Sequence, residues 1–167
     1  MAVDILGMQK HARVLGIDPG TGRMGFGVAE QNGNKYLCHA IGCFTTPAKT
    51  AQSERLASLQ NNLLKIIDAQ KPDGAVVEKL FFSKNIRTGM AVSEARGMIL
   101  TTLKQANIPI LELSPQQVKI GVTGYGKATK LQVQLMIQRL FSLQTLPTPD
   151  DAADALALAF VGLSHFH

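Results

Sequence analysis

The chain has 167 residues, with 17 Lys and Arg against 12 Asp and Glu, which gives a formal net charge of +5. This length suits one domain with a buried core, since domains typically contain about 100–200 residues. No apolar run approaches the roughly 18 residues that cross a bilayer, no secretory signal pattern opens the chain, and Cys38 and Cys43 form no zinc or disulfide motif. We therefore expect a soluble cytoplasmic protein and exclude the membrane, secreted, disordered and zinc-finger classes.

Charge is unevenly distributed along the sequence. The segment from Lys79 to Arg139 carries nine basic and two acidic residues, a local net charge of +7. Such a concentration indicates a polyanionic partner, most simply nucleic acid. Solvated helix faces would give the same count, so charge alone leaves both interpretations open.

Hydrophobic periodicity and turn residues predict a run of strands and helices. The Asn32-Gly33 pair between two apolar runs is typical of a hairpin, so the first three strands are predicted to be antiparallel. Ser114 and Pro115 are typical of the start of a helix, as an N-cap and a first-turn proline. In chain order the predicted elements are strands at 12–17, 24–29 and 35–44, a helix at 52–70, a strand at 74–77, a helix at 88–106, a strand at 108–113, a helix from 115 to the glycine-rich segment 121–126, and helices at 129–141 and 150–163. This order predicts an α/β fold with a mixed five-stranded sheet and helices on both faces.

Four carboxylates fall where the predicted elements border the core. Asp18 ends a buried strand, Glu78 follows the apolar run 75–77, and Asp151 and Asp154 are three residues apart on one helical face. Each has an ordinary structural interpretation, such as a turn former or a charge at a helix N-terminus. Glu78 fits that interpretation least, because Glu is disfavoured at a strand position where Val or Ile is expected.

Taken together, these acids predict a site for two divalent cations. Mg²⁺ prefers oxygen ligands and keeps several waters, which leaves room for a phosphate. Two such ions, about 3.5–4 Å apart, activate water and stabilise the leaving oxygen in phosphodiester hydrolysis. They also neutralise a cluster of acids that would otherwise repel a nucleic acid.

Five ordered segments closely resemble the bacterial RuvC-type Holliday junction resolvases. They are LGIDPGTGRMGFGV (15–28), VEKLFFSKN (77–85), EARG (94–97), QQVKIGVTGYGKATKLQVQ (116–134) and DDAADALALA (150–159). The resemblance implies an RNase H-like nuclease domain over residues 13–167, preceded by a disordered extension at 1–12. It also implies a homodimer that makes paired, symmetric, Mg²⁺-dependent nicks in four-way DNA junctions during recombination and repair, leaving 5′-phosphate and 3′-hydroxyl ends.

The same resemblance assigns roles to individual residues. It implies that Asp18, Glu78, Asp151 and Asp154 are the catalytic acids that hold two Mg²⁺ ions per subunit, with Mn²⁺ as a substitute. It implies DNA contacts for Lys119 and Lys130 and for residues of the segment after Glu78, namely Phe81, Phe82, Lys84, Asn85 and Arg87. The neighbouring acid Asp150 is left undecided. A branch-migration helicase is suggested as a partner by the family alone.

The predicted second helix carries small and flexible residues, including Met90, Ala95 and Gly97, where a monomeric helix usually has Leu and Ile. Close packing across a twofold axis explains this pattern, and so does packing of the helix on its own sheet. The family dimerises through the corresponding region. A twofold pair of sites matches the symmetry of a four-way junction.

Three other functions are weighed against this one. The DPGTG segment at 18–22 also resembles the phosphate loop of actin, Hsp70 and sugar-kinase ATPases, but 167 residues can hardly hold the two domains that those enzymes need. A YqgF-like RNA-processing nuclease shares the fold and first motif, but does not account for VEKLFFSKN and DAADALALA together. A catalytically silent junction-binding module would have little use for four acids.

Overall fold

The computed structural model describes residues 12–80 and 86–166, with side chains from 12–80 and 89–166. The predicted extension at 1–12 therefore lies almost wholly outside the described residues. So do Phe81, Phe82, Lys84 and Asn85, and the side chain of Arg87. Among the helices described, none is long and apolar enough to cross a membrane.

Five strands form one mixed sheet. They are β1 (Arg13–Asp18), β2 (Arg23–Asn32), β3 (Lys35–Thr45), β4 (Gly74–Glu78) and β5 (Ile110–Leu113), in the order β3-β2-β1-β4-β5. The first three are antiparallel, and the predicted hairpin is confirmed, with Gly33 in the left-handed region at φ 58°. β4 and β5 run parallel to β1, so β1 lies at the centre of the sheet.

Within the described residues, five helices cover the two faces of the sheet, and helices on both faces were predicted. They are α1 (Gln52–Gln70), α2 (Ile86–Gln105), α3 (Pro115–Thr123), α4 (Lys130–Leu140) and α5 (Asp150–Gly162). Successive side chains of β1 point to opposite faces of the sheet and so divide the core. Leu15 and Ile17 pack with α1 and α2, whereas Val14 packs with α3, α4 and α5. Each face thus has its own apolar cluster.

Several predicted boundaries shift by a few residues. β5 begins at Ile110 rather than 108, directly after Pro109, which has no N–H to donate to a strand ladder. α5 begins at Asp150 as predicted, with Pro149 as its N-cap, and ends at Gly162 rather than 163. Ser114 caps α3 as predicted, in a reciprocal capping box with Gln117.

The two cysteines, Cys38 and Cys43, are free thiols with partly exposed side chains. They lie on β3, which is an edge strand of the sheet, and an edge strand has fewer neighbours to cover it.

Helix α5 approaches the sheet so closely that several strand positions have no room for a Cβ. A Cβ on Gly16 of β1 would lie 1.9 Å from the carbonyl oxygen of Ala155, and one on Gly27 of β2 would lie 2.7 Å from Cα of Leu156. Both obstructing atoms belong to helix backbone, which cannot move aside as a flexible side chain does. Glycine at these positions brings α5 against the backbone of the central strands.

We predict that Gly16→Ala destabilises the protein by about 3 kcal/mol or more, because overpacking against backbone forces the helix away from the sheet. Denaturant unfolding followed by circular dichroism measures the free energy of unfolding. Gly22→Ala is the control, since its Cβ would meet only the end of Arg55 at 3.5 Å, and a change within about 0.5 kcal/mol is expected. Equal stabilities of the two variants would contradict the close-packing argument.

Candidate active site

Asp18 and Glu78 stand side by side at one edge of the sheet. Ile17 of β1 pairs in parallel register with Val77 of β4, and each acid is the next residue of its strand. Because the strands are parallel, their carboxyl ends meet at the same edge. The sheet therefore brings together two acids that are 60 positions apart in the sequence.

Helix α5 adds the other two acids. Asp18 pairs across the β1–β2 ladder with Gly25, and a Cβ on Gly25 would lie 2.1 Å from the carbonyl oxygen of Asp151. Asp151 in the first turn of α5 thus lies directly over the strand position beside Asp18. Asp154 follows one turn later and lines a cavity of about 250 Å³ together with Glu78.

The pKa of Asp18 shows the effect of this clustering most clearly. Burial, followed by the negative charges of Glu78, Asp154 and Asp151, raises the pKa of Asp18 from 3.8 to about 8. Burial also raises the pKa of Glu78 and of Asp154, and in Glu78 the charge of Asp154 adds to this effect. Like charges that are held close together and away from water disfavour ionisation of these carboxyl groups.

Lys130, the first residue of α4, supplies a positive charge to this cluster. Its Nζ lies 2.7 Å from carboxylate oxygens of both Asp150 and Asp154. Burial by itself would lower the pKa of Lys130, but the bonds to the two acids outweigh burial and raise it. Lys119 of α3 lines the same cavity as Lys130, Glu78 and Asp154.

The structure distinguishes Asp150 from Asp151. The Asp150 side chain is half exposed and points to Lys130, whose hydrogen bond and charge lower the pKa of Asp150. Asp151 instead has a buried Oδ2 that accepts no hydrogen bond from the described residues. The sequence left Asp150 undecided, and its position is at the rim of the cluster.

Arg23 is a charged residue of the site that sequence reasoning did not single out. It begins β2, and its Nε lies 3.3 Å from Oδ2 of Asp151, without the geometry of a hydrogen bond. The only sequence signal that Arg23 belongs to the site was its position within the motif LGIDPGTGRMGFGV. Two cations from different elements, Arg23 and Lys130, therefore flank the acids of α5.

The donor set suits a hard divalent cation. All four side chains offer carboxylate oxygens, and the buried Oδ2 of Asp151 accepts no hydrogen bond from the described residues, although Arg23 lies 3.3 Å from it. Across the described residues, no three His, Cys, Asp or Glu side chains stand as close as they would around one ion.

Comparison with known proteins places this arrangement in context. Residues 14–162 match the family model described as crossover junction endodeoxyribonuclease RuvC. The RuvC proteins of Chloroflexus aggregans and Petrotoga mobilis are 51% and 48% identical to this chain over 147 residues, covering 88% of it and 90% of each relative.

Solved structures agree with the sequence comparison. The Thermus thermophilus RuvC in complex with Holliday junction substrate superposes with a TM-score of 0.85 at 30% identity, over 90% of this chain and 92% of that one. The yeast mitochondrial Holliday junction resolvase Ydc2 shares the fold, with a TM-score of 0.66 at 18% identity and coverage of 91% and 78%.

We predict that Asp18→Asn stabilises the protein in a chelating buffer at alkaline pH. The folded-state pKa of about 8 lies above the ordinary value of 3.8, so the folded form retains a proton that the unfolded form releases between these values. Stability of the wild type consequently falls as pH rises from about 4 through about 8, and Asn removes this loss. At pH 8.5 the variant should melt at least about 3 °C higher, a shift of about 1 kcal/mol in a chain of this size.

The control for this measurement is Asp68→Asn, which neutralises an exposed carboxylate on α1. Differential scanning calorimetry at pH 4.5 and pH 8.5 should show the gain for Asp18→Asn only at the higher pH. A variant no more stable than wild type at pH 8.5 would show that Asp18 does not carry a raised pKa.

Proposed function

The chain belongs to the family of RuvC crossover junction endodeoxyribonucleases, and from that membership we propose how its own residues carry out junction cleavage. The protein is a Holliday junction resolvase, a DNA-binding nuclease of homologous recombination and repair with an RNase H-like fold. Family membership sets aside the ATPase, RNA-processing and non-catalytic alternatives. We place its action on chromosomal junctions in the cytoplasm, with cleavage leaving 5′-phosphate and 3′-hydroxyl ends.

Asp18, Glu78, Asp151 and Asp154 are the proposed catalytic acids. The observation that carries this assignment is geometric: Asp18 and Glu78 end neighbouring parallel strands, and Asp151 of α5 lies over the ladder partner of Asp18. A cluster of this kind favours a cation strongly. Two Mg²⁺ ions, or Mn²⁺ in their place, would supply activation of water and charge neutralisation at the scissile phosphate when bound.

Lys130 and Lys119 are the proposed phosphate contacts beside the acids. Both line the cavity that Glu78 and Asp154 share. If Asp154 held a divalent ion, the ammonium of Lys130 would keep its pair with Asp150 and have a donor left for a phosphoryl oxygen that gains charge in the transition state. Lys130 would thereby offer to phosphate the donor that Asp154 accepts in this structure.

The segment directly after Glu78 is proposed to contact bases and backbone near the junction centre. Its candidates are Phe81, Phe82, Lys84, Asn85 and Arg87. Two aromatic and two basic residues suit unpaired bases and phosphates, since base–aromatic stacking contributes about 1–3 kcal/mol per base. Their place in the chain, a few residues beyond a catalytic acid, supports this assignment.

A homodimer through α2 is the proposed assembly. Met90 on this helix is 62% exposed, Gly97 has no atom within 4 Å of a Cβ position, and Thr101 is exposed. This exposed side of α2 would let two copies approach closely and align two sites with the two strands to be cut. The branch-migration helicase remains a proposed partner on the family resemblance alone.

We predict that Asp18→Asn and Glu78→Gln each abolish Mg²⁺-dependent cleavage of a synthetic four-way junction. Loss of about 4 kcal/mol of charge stabilisation corresponds to roughly 1,000-fold in rate. Junction binding in a chelating buffer should stay within about threefold of wild type, because neither acid attracts phosphate. Asp68→Asn is the control for both assays, and cleavage at the wild-type rate by either catalytic-site variant would refute the assignment.

We further predict that Gly97→Arg converts the dimer to a monomer. Arginine fits the isolated subunit because nothing lies near Gly97, and replacing a helical glycine usually stabilises a helix by about 0.5–1 kcal/mol. Sedimentation equilibrium should report one subunit mass, and nicking of the two junction strands should become uncoupled. Asn34→Arg adds the same charge at the exposed hairpin tip, and a Gly97→Arg protein as dimeric as that control would exclude α2 from the interface.

A further inference from the structure

The EARG motif at 94–97 contains an arginine that the proposed catalytic machinery does not use. Arg96 lies on α2, and its side chain is 21% exposed. It reaches away from its own helix to two neighbouring strands, where it meets one backbone atom and one carboxylate. Its two partners identify a role that neither motif nor charge count indicated.

The first partner is the main chain of Glu78. Nε of Arg96 donates a hydrogen bond to the carbonyl oxygen of Glu78 at 3.2 Å. This carbonyl belongs to the last residue of β4, where the chain leaves the sheet. A hydrogen bond to that oxygen fixes the peptide plane after Glu78 and so limits rotation about the Cα–C bond of Glu78.

The second partner orients the arginine itself. The Arg96 guanidinium forms an ion pair with Glu112 of β5, and Glu112 stands in register with Val77, the residue before Glu78. On the same strand pair, the backbone N of Lys79 donates to the carbonyl oxygen of Leu113 at 2.8 Å. The guanidinium and the ladder therefore hold the carbonyl oxygen and the N–H of the same peptide, the one that joins Glu78 to Lys79.

From these contacts we propose that Arg96, oriented by Glu112, is a positioning residue that holds Glu78 with its carboxylate toward the acid cluster. The planar guanidinium suits this task because its fork can bond a carboxylate and a carbonyl together, whereas the single ammonium of lysine lacks that fixed geometry. This inference rests on the proposed function of Glu78 as a metal-ligating acid. Arg96 itself does not line the cavity, and it contacts the cavity residue Glu78 only through the main chain.

A purely structural ion pair is the alternative, and it makes a different prediction. The Arg96–Glu112 pair is partly exposed, and such pairs contribute little to stability. If Arg96 only stabilised the fold, its loss would change melting temperature slightly and leave ion binding unaltered. If it positions Glu78, its loss weakens ion binding while the fold persists, since residues that orient metal ligands typically affect affinity about 10–100-fold.

The test compares Arg96→Met, Arg96→Lys and Glu112→Gln with wild type. Lys104→Met is the matched control, because it removes an exposed positive charge from the last turn of the same helix. Three quantities are measured: Mn²⁺ affinity by isothermal titration calorimetry without DNA, single-turnover cleavage of a four-way junction, and melting temperature. Mn²⁺ binding is a readout that does not depend on activity.

For Arg96→Met we expect Mn²⁺ affinity and cleavage rate each to fall about 10–100-fold, with a melting temperature close to that of Lys104→Met. Arg96→Lys and Glu112→Gln should show smaller losses in the same direction, and they decide the question if Arg96→Met fails to fold. Wild-type Mn²⁺ affinity in the folded variants would overturn the inference.

A parallel Glu78→Gln variant separates this inference from the assignment on which it rests. If Glu78→Gln is inactive and the Arg96 variants behave as wild type, only the positioning role is wrong. If Glu78→Gln cleaves normally, the site assignment itself is wrong, and the role of Arg96 falls with it. Loss of Mn²⁺ affinity in both Glu78→Gln and Arg96→Met supports both.

Discussion

The contact between α5 and the two central strands determines how the rest of the site is arranged. Gly16 and Gly27 leave room for the helix backbone to lie against β1 and β2. The same close approach at Gly25 places Asp151 over the ladder partner of Asp18. Packing and chemistry thus depend on one steric requirement, because a helix held further from the sheet would carry its acids out of reach of the strand carboxylates.

Bringing the acids together creates charge repulsion, which the positive side chains of the described residues offset only in part. Lys130 pairs with Asp150 and Asp154, and Arg23 lies beside Asp151, yet Asp18 still has a pKa near 8. Outside the four proposed ligands the sequence has eight acids against 17 basic residues. The modest net charge of +5 is therefore the sum of a compact acidic site and a strongly basic remainder, and the proposed divalent ions would allow a phosphate to approach both.

Local signals in the sequence were sufficient for most of the fold. Apolar spacing predicted α1, the turn residues 71–74 predicted its end, and the turn chemistry at Gly33 predicted the hairpin, because such features depend on neighbours in the chain. The pairing of Arg23 with Asp151 and of Arg96 with Glu78 could not be predicted in this way. Each joins elements whose approach is set by tertiary packing, and neither residue has a distinctive local pattern.

Two arginines and one lysine lie around the acids, and they differ in the groups that they contact. Arg23 and Lys130 face carboxylates, so an arriving cation or phosphate would compete directly with them. Arg96 does not line the cavity, and its contacts with the Glu78 carbonyl oxygen and the Glu112 carboxylate would not be subject to that competition. Since Arg96 is on the helix that also carries the exposed residues Gly97 and Thr101, a shift of α2 in the proposed dimer would act on the main chain of Glu78 through one side chain. Glu78, the proposed catalytic acid that precedes the proposed DNA-contacting segment, would thereby be linked to the surface where a second subunit would bind.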